Sequence, residues 1–477
     1  MVSSERAARA LVLTGLALAS CSLSRPEITA CSSSARCRAV FGPGSVCNTD
    51  GYCEKAPPNP RCAATFPEDI LTRPQNYPGA VLIGSLMDRS VTTHLARESA
   101  LRLAITQVRE VGGLQGRAFG VVLCDISQNA QFDSLDRTQA AVQSARYLAD
   151  AIGVPAIVGP SASTDTVEVY LALAGKDVLL ISPSATSPSL SGLDGKNPTD
   201  ETPGRLWRTA PPDTLQGDAI AIYLQQQGVT SVVLVHEAGA YGEGLTAVFE
   251  KAFSSIGGQT ASSSFSNTSE RDARVVAAGK SPAPWVLFFS SQTADAAAFL
   301  NVAVSTAGYE QKKLFLTDSA ANADLLAKAS GAAALFPRVR GSRFAVPAGP
   351  VYEQFRASFK AAFQAEANDF SYVAHAYDAA WLTFYGAARS SGQEGIVHGL
   401  GIARGLRRLS LGEPVDIVPS TWGDIAKELT LGGSVDVTGA SGALDYDPLS
   451  EETEGPVDIW RITSLGGGFE VEQTLVP

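Results

Sequence analysis

Val178-Leu-Leu-Ile-Ser-Pro-Ser-Ala-Thr-Ser-Pro-Ser-Leu190 is a short apolar run that stops in a cluster of small hydroxyl residues, with Pro188 where a new helix could start. A strand that feeds a helix through Ser and Thr leaves backbone N–H groups and hydroxyls free at its C-terminal edge. In open α/β sheets ligands sit at that edge, and a helix N-terminus there favours a carboxylate or phosphate. A second such edge precedes it, Ala156-Ile-Val-Gly-Pro-Ser-Ala-Ser-Thr164. Taken together the two edges describe a binding cleft; taken singly, each could be a turn that caps a helix.

Outward from these edges, apolar runs alternate with helical patterns. Strands are expected at Val81–Leu86, Phe119–Leu123, Ala156–Val158 and Val178–Ile181, with helices over His94–Val111, Thr138–Ala151 and Asp165–Ala174. After the Gly-, Pro- and Asp-rich loop Gly192–Gly204 the rhythm restarts. Helices are expected at Gln216–Gln227, Gly242–Ile256 and Thr293–Thr306, and strands at Ser231–His236, Val286–Phe289 and Lys313–Thr317. The β-α-β-α order predicts parallel, doubly wound sheets, and its repetition predicts two lobes. Long helical stretches follow at Val351–Phe363 and Val373–Ala388, then a strand-rich end at Ala443–Val476.

The chain has 477 residues and a formal net charge of −11. Its length calls for more than one domain. The negative charge argues against nucleic acid or an anionic membrane surface as partner. Residues 1–20 read as a targeting segment: Arg6 and Arg9 precede the apolar run Ala10–Ala19, too short to span a bilayer as a mature helix. The run ends Leu18-Ala19-Ser20-Cys21, which resembles the lipobox of bacterial lipoproteins. That resemblance implies cleavage before Cys21, lipidation of Cys21 and, with Ser22 next, an outer-membrane location. An ordinary secretory signal with a chance cysteine is the alternative.

Six further cysteines, Cys31, Cys37, Cys47, Cys53, Cys62 and Cys124, read as disulfides of an exported protein. Residues 21–62 form a Cys-rich module too small to hold a core without bridges. Its internal pairing stays open, and the spacings lack the C-x-x-C pair of a zinc site. Cys62 and Cys124 are left to each other. Residues 63–79 complete a proline-rich linker.

The ordered set Val111-Gly-Gly-Leu-Gln-Gly-Arg117, Val158-Gly-Pro-Ser-Ala-Ser163, Ile181-Ser-Pro-Ser-Ala-Thr-Ser187, Trp207-Arg-Thr-Ala-Pro-Pro-Asp213, Tyr241-Gly-Glu-Gly244, Ala376-Tyr-Asp-Ala379 and Gly442-Ala-Leu-Asp-Tyr446 resembles the type I periplasmic binding proteins. The group it resembles most is the leucine/isoleucine/valine-binding receptors of branched-chain amino-acid ABC importers. The resemblance implies two Rossmann-like α/β lobes joined by three crossovers, with residues 80–210 and 347–437 in the first lobe and 211–346 and 438–477 in the second. It implies that Ser163, Ser184 and Thr186 hold a ligand's α-carboxylate and α-amino group, that Tyr241 lines the second-lobe side, and that Asp318 meets the ammonium. The expected ligand is an amino acid or related small carboxylate, the implied partner an ABC permease, and the only membrane contact the lipid anchor. A sensor or scavenger without a transport partner is the alternative. On the residues alone, hydroxyls and helix-end N–H groups suit a carboxylate without a buried cation.

Signatures of catalysis, cofactors and metals are lacking. The four histidines, His94, His236, His375 and His398, form no H-E-x-x-H pair. No G-x-S-x-G elbow occurs. Gly279-Lys-Ser281 resembles the end of a phosphate loop, but Arg274 stands in place of its first glycine. Gly399-x-Gly401 has Arg404 in place of a third glycine. His236, at a strand end, could face the cleft.

Overall fold

The computed structural model describes residues 30–195, 197–463 and 467–476. The targeting segment and Cys21 lie outside the described residues. Two large sheets organise the body. The first has six strands in the spatial order Ala64–Phe66, Phe119–Asp125, Val81–Met87, Ala156–Val158, Leu179–Ser182, Leu206–Arg208. All neighbours are parallel except the edge strand Ala64–Phe66. The second has seven, in the order Gln259–Phe265, Ser231–Glu237, Trp285–Phe289, Lys313–Leu316, Val339–Phe344, Val457–Ile462, Phe469–Leu475. Its first five are parallel and its last two antiparallel. The fold is thus two doubly wound α/β lobes, as the strand rhythm predicts.

Near-continuous apolar strands such as Val81–Met87 and Trp285–Phe289 are buried on both faces, as helix-covered parallel sheets require. The helix Val373–Glu394 is buried along most of its length, and Trp381, Phe384 and Tyr385 pack with Phe119 and Trp422 in the largest core. A small sheet of Glu413–Asp416, Val435–Gly439 and Gly442–Ala443 flanks this core. Asp378 fastens it, accepting hydrogen bonds from the amides of Ala440 and Ser441 and from the Ser441 hydroxyl.

Sequence patterning misses several strands. Ala64–Phe66 lies in the stretch read as linker, and its phenylalanine precedes Pro67. Gln259–Phe265 is polar because it is an exposed edge strand, paired only to Ser231–Glu237. Leu206–Arg208 has three residues, too few for a periodic signal.

In the Cys-rich module the bridges are Cys31–Cys47 and Cys37–Cys53, which engage all four thiols. They staple the helix Ser34–Phe41 to the hairpin Ser45–Cys47/Cys53–Lys55. Cys62 is bonded to Cys124, tying the end of the module to the end of Phe119–Asp125. Beside this bridge the buried Arg61 forms an ion pair with Asp133, at 2.5 Å, and donates to the carbonyls of Asp125 and Ser127. No described helix is long and apolar enough to cross a membrane.

Candidate functional site: a charged cleft between the lobes

Each large sheet reverses its winding at one point. In the first, Val81–Met87 lies between Phe119–Asp125 and Ala156–Val158, the next two strands in sequence, one on each side; in the second, Ser231–Glu237 lies likewise between Gln259–Phe265 and Trp285–Phe289. Crevices open beyond the carboxyl ends of strands at such switch points. Here the two crevices face each other and enclose a cleft of about 500 Å³ counted to its mouth.

On the first-lobe side, the turn after Ala156–Val158 is possible because Gly159 adopts φ +100 and a Cβ there would come within 2.6 Å of the Leu86 carbonyl oxygen. The chain then delivers Ser161, Ala162 and Ser163 to the cleft. Ser163 opens the helix Ser163–Ala172, whose N-terminus has no side-chain cap, so its amides are free to meet an anion. The next edge is organised by Ser182, whose hydroxyl donates to the Pro160 carbonyl and accepts from the amide of Ala185. Ser184 lines the cleft and its hydroxyl donates to the Ser161 carbonyl at 3.0 Å.

The structure corrects one expectation here: the cleft holds a buried cation. Arg97, 5% exposed, projects from the helix Thr92–Glu110. Its guanidinium donates to the Ser184 hydroxyl at 2.9 Å and to the carbonyl and hydroxyl of Ser371. Among the described residues no carboxylate lies within 4 Å of it. Burial pulls its pKa down to about 10, partly offset by Tyr372 and Asp318, so it remains charged at neutral pH. Beside it, burial and then the charge of Arg97 push His94 well below the ordinary histidine range, which leaves it neutral. Thr93 Oγ1 and His94 Nδ1 line this wall without a hydrogen-bond partner.

On the second-lobe side, Asp318 is 4% exposed at the carboxyl end of Lys313–Leu316. Its Oδ1 accepts from Gln216 at 3.2 Å and from the Tyr241 hydroxyl. Its Oδ2 accepts from the Tyr372 hydroxyl at 2.8 Å and has a lone pair to spare. Burial, and next the negative charge of Asp318, raise both phenols well above the ordinary tyrosine range, so they stay protonated donors. Tyr372 belongs to the stretch that precedes Val373–Glu394, yet it packs among second-lobe core residues and lays its ring 5.3 Å from the Arg97 guanidinium carbon.

Of the five residues singled out from sequence, Ser163, Ser184, Tyr241 and Asp318 come together in this cleft. Thr186 does not line it. It is fully buried, and its hydroxyl donates to Asp213 Oδ2 at 2.9 Å. Asp213, lifted well above the ordinary carboxylate range by burial and by Asp318, needs that donor. His236 keeps to its own strand end, with Nδ1 3.0 Å from the Glu237 carbonyl oxygen. Sequence reasoning misses Arg97, His94 and Tyr372. For Arg97 there is a signal: it falls with Thr93, Leu101, Ala104 and Val108 on the buried face of its helix, where a charge needs a reason.

The lobes touch at the rim. The Ser187 hydroxyl donates to the Ala240 carbonyl at 2.5 Å and the Ala240 amide donates to Thr164 Oγ1 at 3.1 Å. Ser187 is itself held by Ser163, whose Oγ accepts from its amide at 3.2 Å. At a crossover, the buried Arg208 makes an ion pair with Glu452 and donates to the Ser187 carbonyl.

Comparison with known proteins agrees with this architecture. A profile described as "Receptor family ligand binding region" matches residues 96–464. The leucine-, isoleucine-, valine-, threonine- and alanine-binding protein of Pseudomonas aeruginosa is 26% identical over 179 residues, 37% of this chain and 43% of the relative. A Leu/Ile/Val-binding protein of Rhizobium johnstonii is 28% identical over 164 residues, 34% of this chain and 40% of the relative. The chain thus aligns with less than half the length of these curated relatives. Among solved structures, the branched-chain amino acid transporter substrate-binding protein LivJ of Streptococcus pneumoniae, in complex with isoleucine, superposes with a TM-score of 0.63 at 19% identity. The match covers 83% of this chain and 99% of that one. A leucine-binding protein of Thermotoga maritima gives 0.64 at 16%, with coverage of 83% and 99%. These structural likenesses speak for the fold. With the profile match spanning most of its length, the chain belongs to the receptor-family ligand-binding region family, as a type I periplasmic binding protein related to the Leu/Ile/Val-binding proteins.

Proposed function

We propose that this protein is an extracytoplasmic solute receptor that captures a small zwitterion, an aliphatic amino acid or a close relative, between its two lobes. The observation that carries the proposal is a buried arginine with no carboxylate at contact distance among the described residues, across the cleft from a buried aspartate. An isolated buried cation is costly, and a ligand carboxylate on Arg97 would supply the missing counter-charge. The free amides at the start of Ser163–Ala172 and the hydroxyls of Ser163 and Ser184 add donors or acceptors on the same side. The open lone pair of Asp318 Oδ2 suits an ammonium, and Thr186 supports this wall indirectly by satisfying Asp213. Delivery to an ABC permease is the role in keeping with the named relatives.

A ligand that bridges both lobes stabilises the folded state by mass action, by about 3–4 kcal/mol at 100–1,000 times its dissociation constant. A thermal-shift panel of aliphatic amino acids should therefore raise the melting temperature with at least one member, and the ligand should be recovered unchanged. No shift across the panel refutes the ligand class. The stretch Leu18-Ala19-Ser20-Cys21-Ser22 favours a second role, a receptor held at the outer membrane that senses or scavenges without transport. Ligand uptake by cells lacking the protein separates the two: transport fails without an importer's receptor and continues without a sensor.

A further inference from the structure

Behind the Tyr372 ring lies a second hollow, about 540 Å³ counted with the solvent at its mouth, which shares Asp318, Ser371 and Tyr372 with the charged cleft as a common wall. Its character is different. Phe344, Val346, Pro347, Tyr352, Phe370 and Val373 make it largely apolar. Tyr372 stands between the two charges that would clamp a zwitterion, its ring over Arg97 and its hydroxyl on Asp318. Groups attached to a zwitterion held by that pair have Tyr372 as a neighbour.

The backbone at Tyr372 is unusual. With φ +62 and ψ +20 it occupies the left-handed region, which a large side chain seldom adopts. Such strain persists where surrounding contacts enforce it, and it gathers at ligand clamps. The contacts that enforce it here are the Asp318 hydrogen bond, the Arg97 face and an edge-on approach of His375 at 5.1 Å.

Resting on the zwitterion reading above, we infer that Tyr372 is a specificity-determining partition: it closes the apolar cavity off from the charged cleft and so limits the receptor to ligands with small side chains. Removing its ring joins the two spaces into one site for amino acids with long or aromatic side chains.

The test is isothermal titration of valine, leucine, phenylalanine and tryptophan into wild-type protein and the Tyr372→Phe and Tyr372→Gly variants, after melting curves establish that each is folded. Glycine suits the left-handed backbone, and Tyr372→Asn serves in its place should the glycine variant not fold. The wild type and Tyr372→Phe, which keeps the ring, should prefer the smaller pair. In Tyr372→Gly the affinity for tryptophan relative to valine should rise by about tenfold or more, the scale on which pocket volume discriminates side chains. An unchanged order in Tyr372→Gly, or a wild type that already prefers tryptophan, overturns the partition and leaves the zwitterion reading standing. Failure of the wild type to bind any of the four overturns both.

Discussion

The first-lobe wall of the cleft presents Arg97, two serine hydroxyls, a neutral histidine and a free helix N-terminus, whereas the second-lobe wall presents Asp318 ringed by Gln216, Tyr241 and Tyr372. Both walls stand at the carboxyl ends of parallel strands wound in the same order. Shared topology therefore chooses the place, and side chains choose the sign. Their states of satisfaction also differ. Asp318 has three donors already, while Arg97 has hydroxyl and carbonyl acceptors and, among the described residues, no carboxylate at contact distance. The first wall consequently has more to gain from a ligand.

That asymmetry orders the predicted effects. Arg97→Met keeps the length and apolar stem but removes the charge, and should weaken binding of any carboxylate ligand by about 100-fold, near 3 kcal/mol for a charged hydrogen-bonded contact. Titration calorimetry measures it, and unchanged affinity would place the carboxylate elsewhere. Asp318→Asn should cost less, about tenfold, and only for ligands that carry an ammonium; equal losses for the deaminated acid would deny Asp318 its partner. Thr186→Ala should lower folding stability by about 1–3 kcal/mol, because Asp213 loses a buried donor, while affinity stays within a few-fold. Denaturant melts and titration together separate the two roles.

The last effect is a slope in pH and leaves affinity at neutral pH unchanged. Burial, and secondarily Arg97, bring the His375 pKa down to about 3. Between about pH 6.5 and 3 the unfolded chain binds a proton there that the native protein refuses. This contribution is therefore fully present above the unfolded pKa and is lost as pH falls, by at most about 1.4 kcal/mol per pH unit. His375→Gln should flatten the fall in stability over that interval. An identical acid limb in the variant would remove His375 from the balance.

How legible these walls are in the sequence depends on what each residue type can signal. The edges Val158–Ser163 and Ile181–Ser187 are legible as a pair, since two apolar β-runs ending in Ser, Thr and Pro in succession describe a cleft where one alone could be a helix-capping turn, and four of the five residues selected from sequence converge on one cleft. Thr186 differs from Ser184 in where its loop turns it, a fact set by Ser182 within the motif and by Asp213 outside it. Tyr372 has no local signature at all. Its place depends on a left-handed backbone that residue type does not encode and on contacts to Arg97 and Asp318, 275 and 54 positions away. Strand Gln259–Phe265 escapes for the opposite reason: its exposure makes it polar, and apolar periodicity is the signal being sought.

The most direct measurement compares leucine with its deaminated acid, 4-methylpentanoate, and its decarboxylated amine, isoamylamine, by calorimetry on the wild-type protein. Two oppositely charged walls require leucine to bind tightest, the acid next through Arg97, and the amine weakest. An amine that binds as well as leucine, or three equal affinities, would contradict a site built on opposed charges.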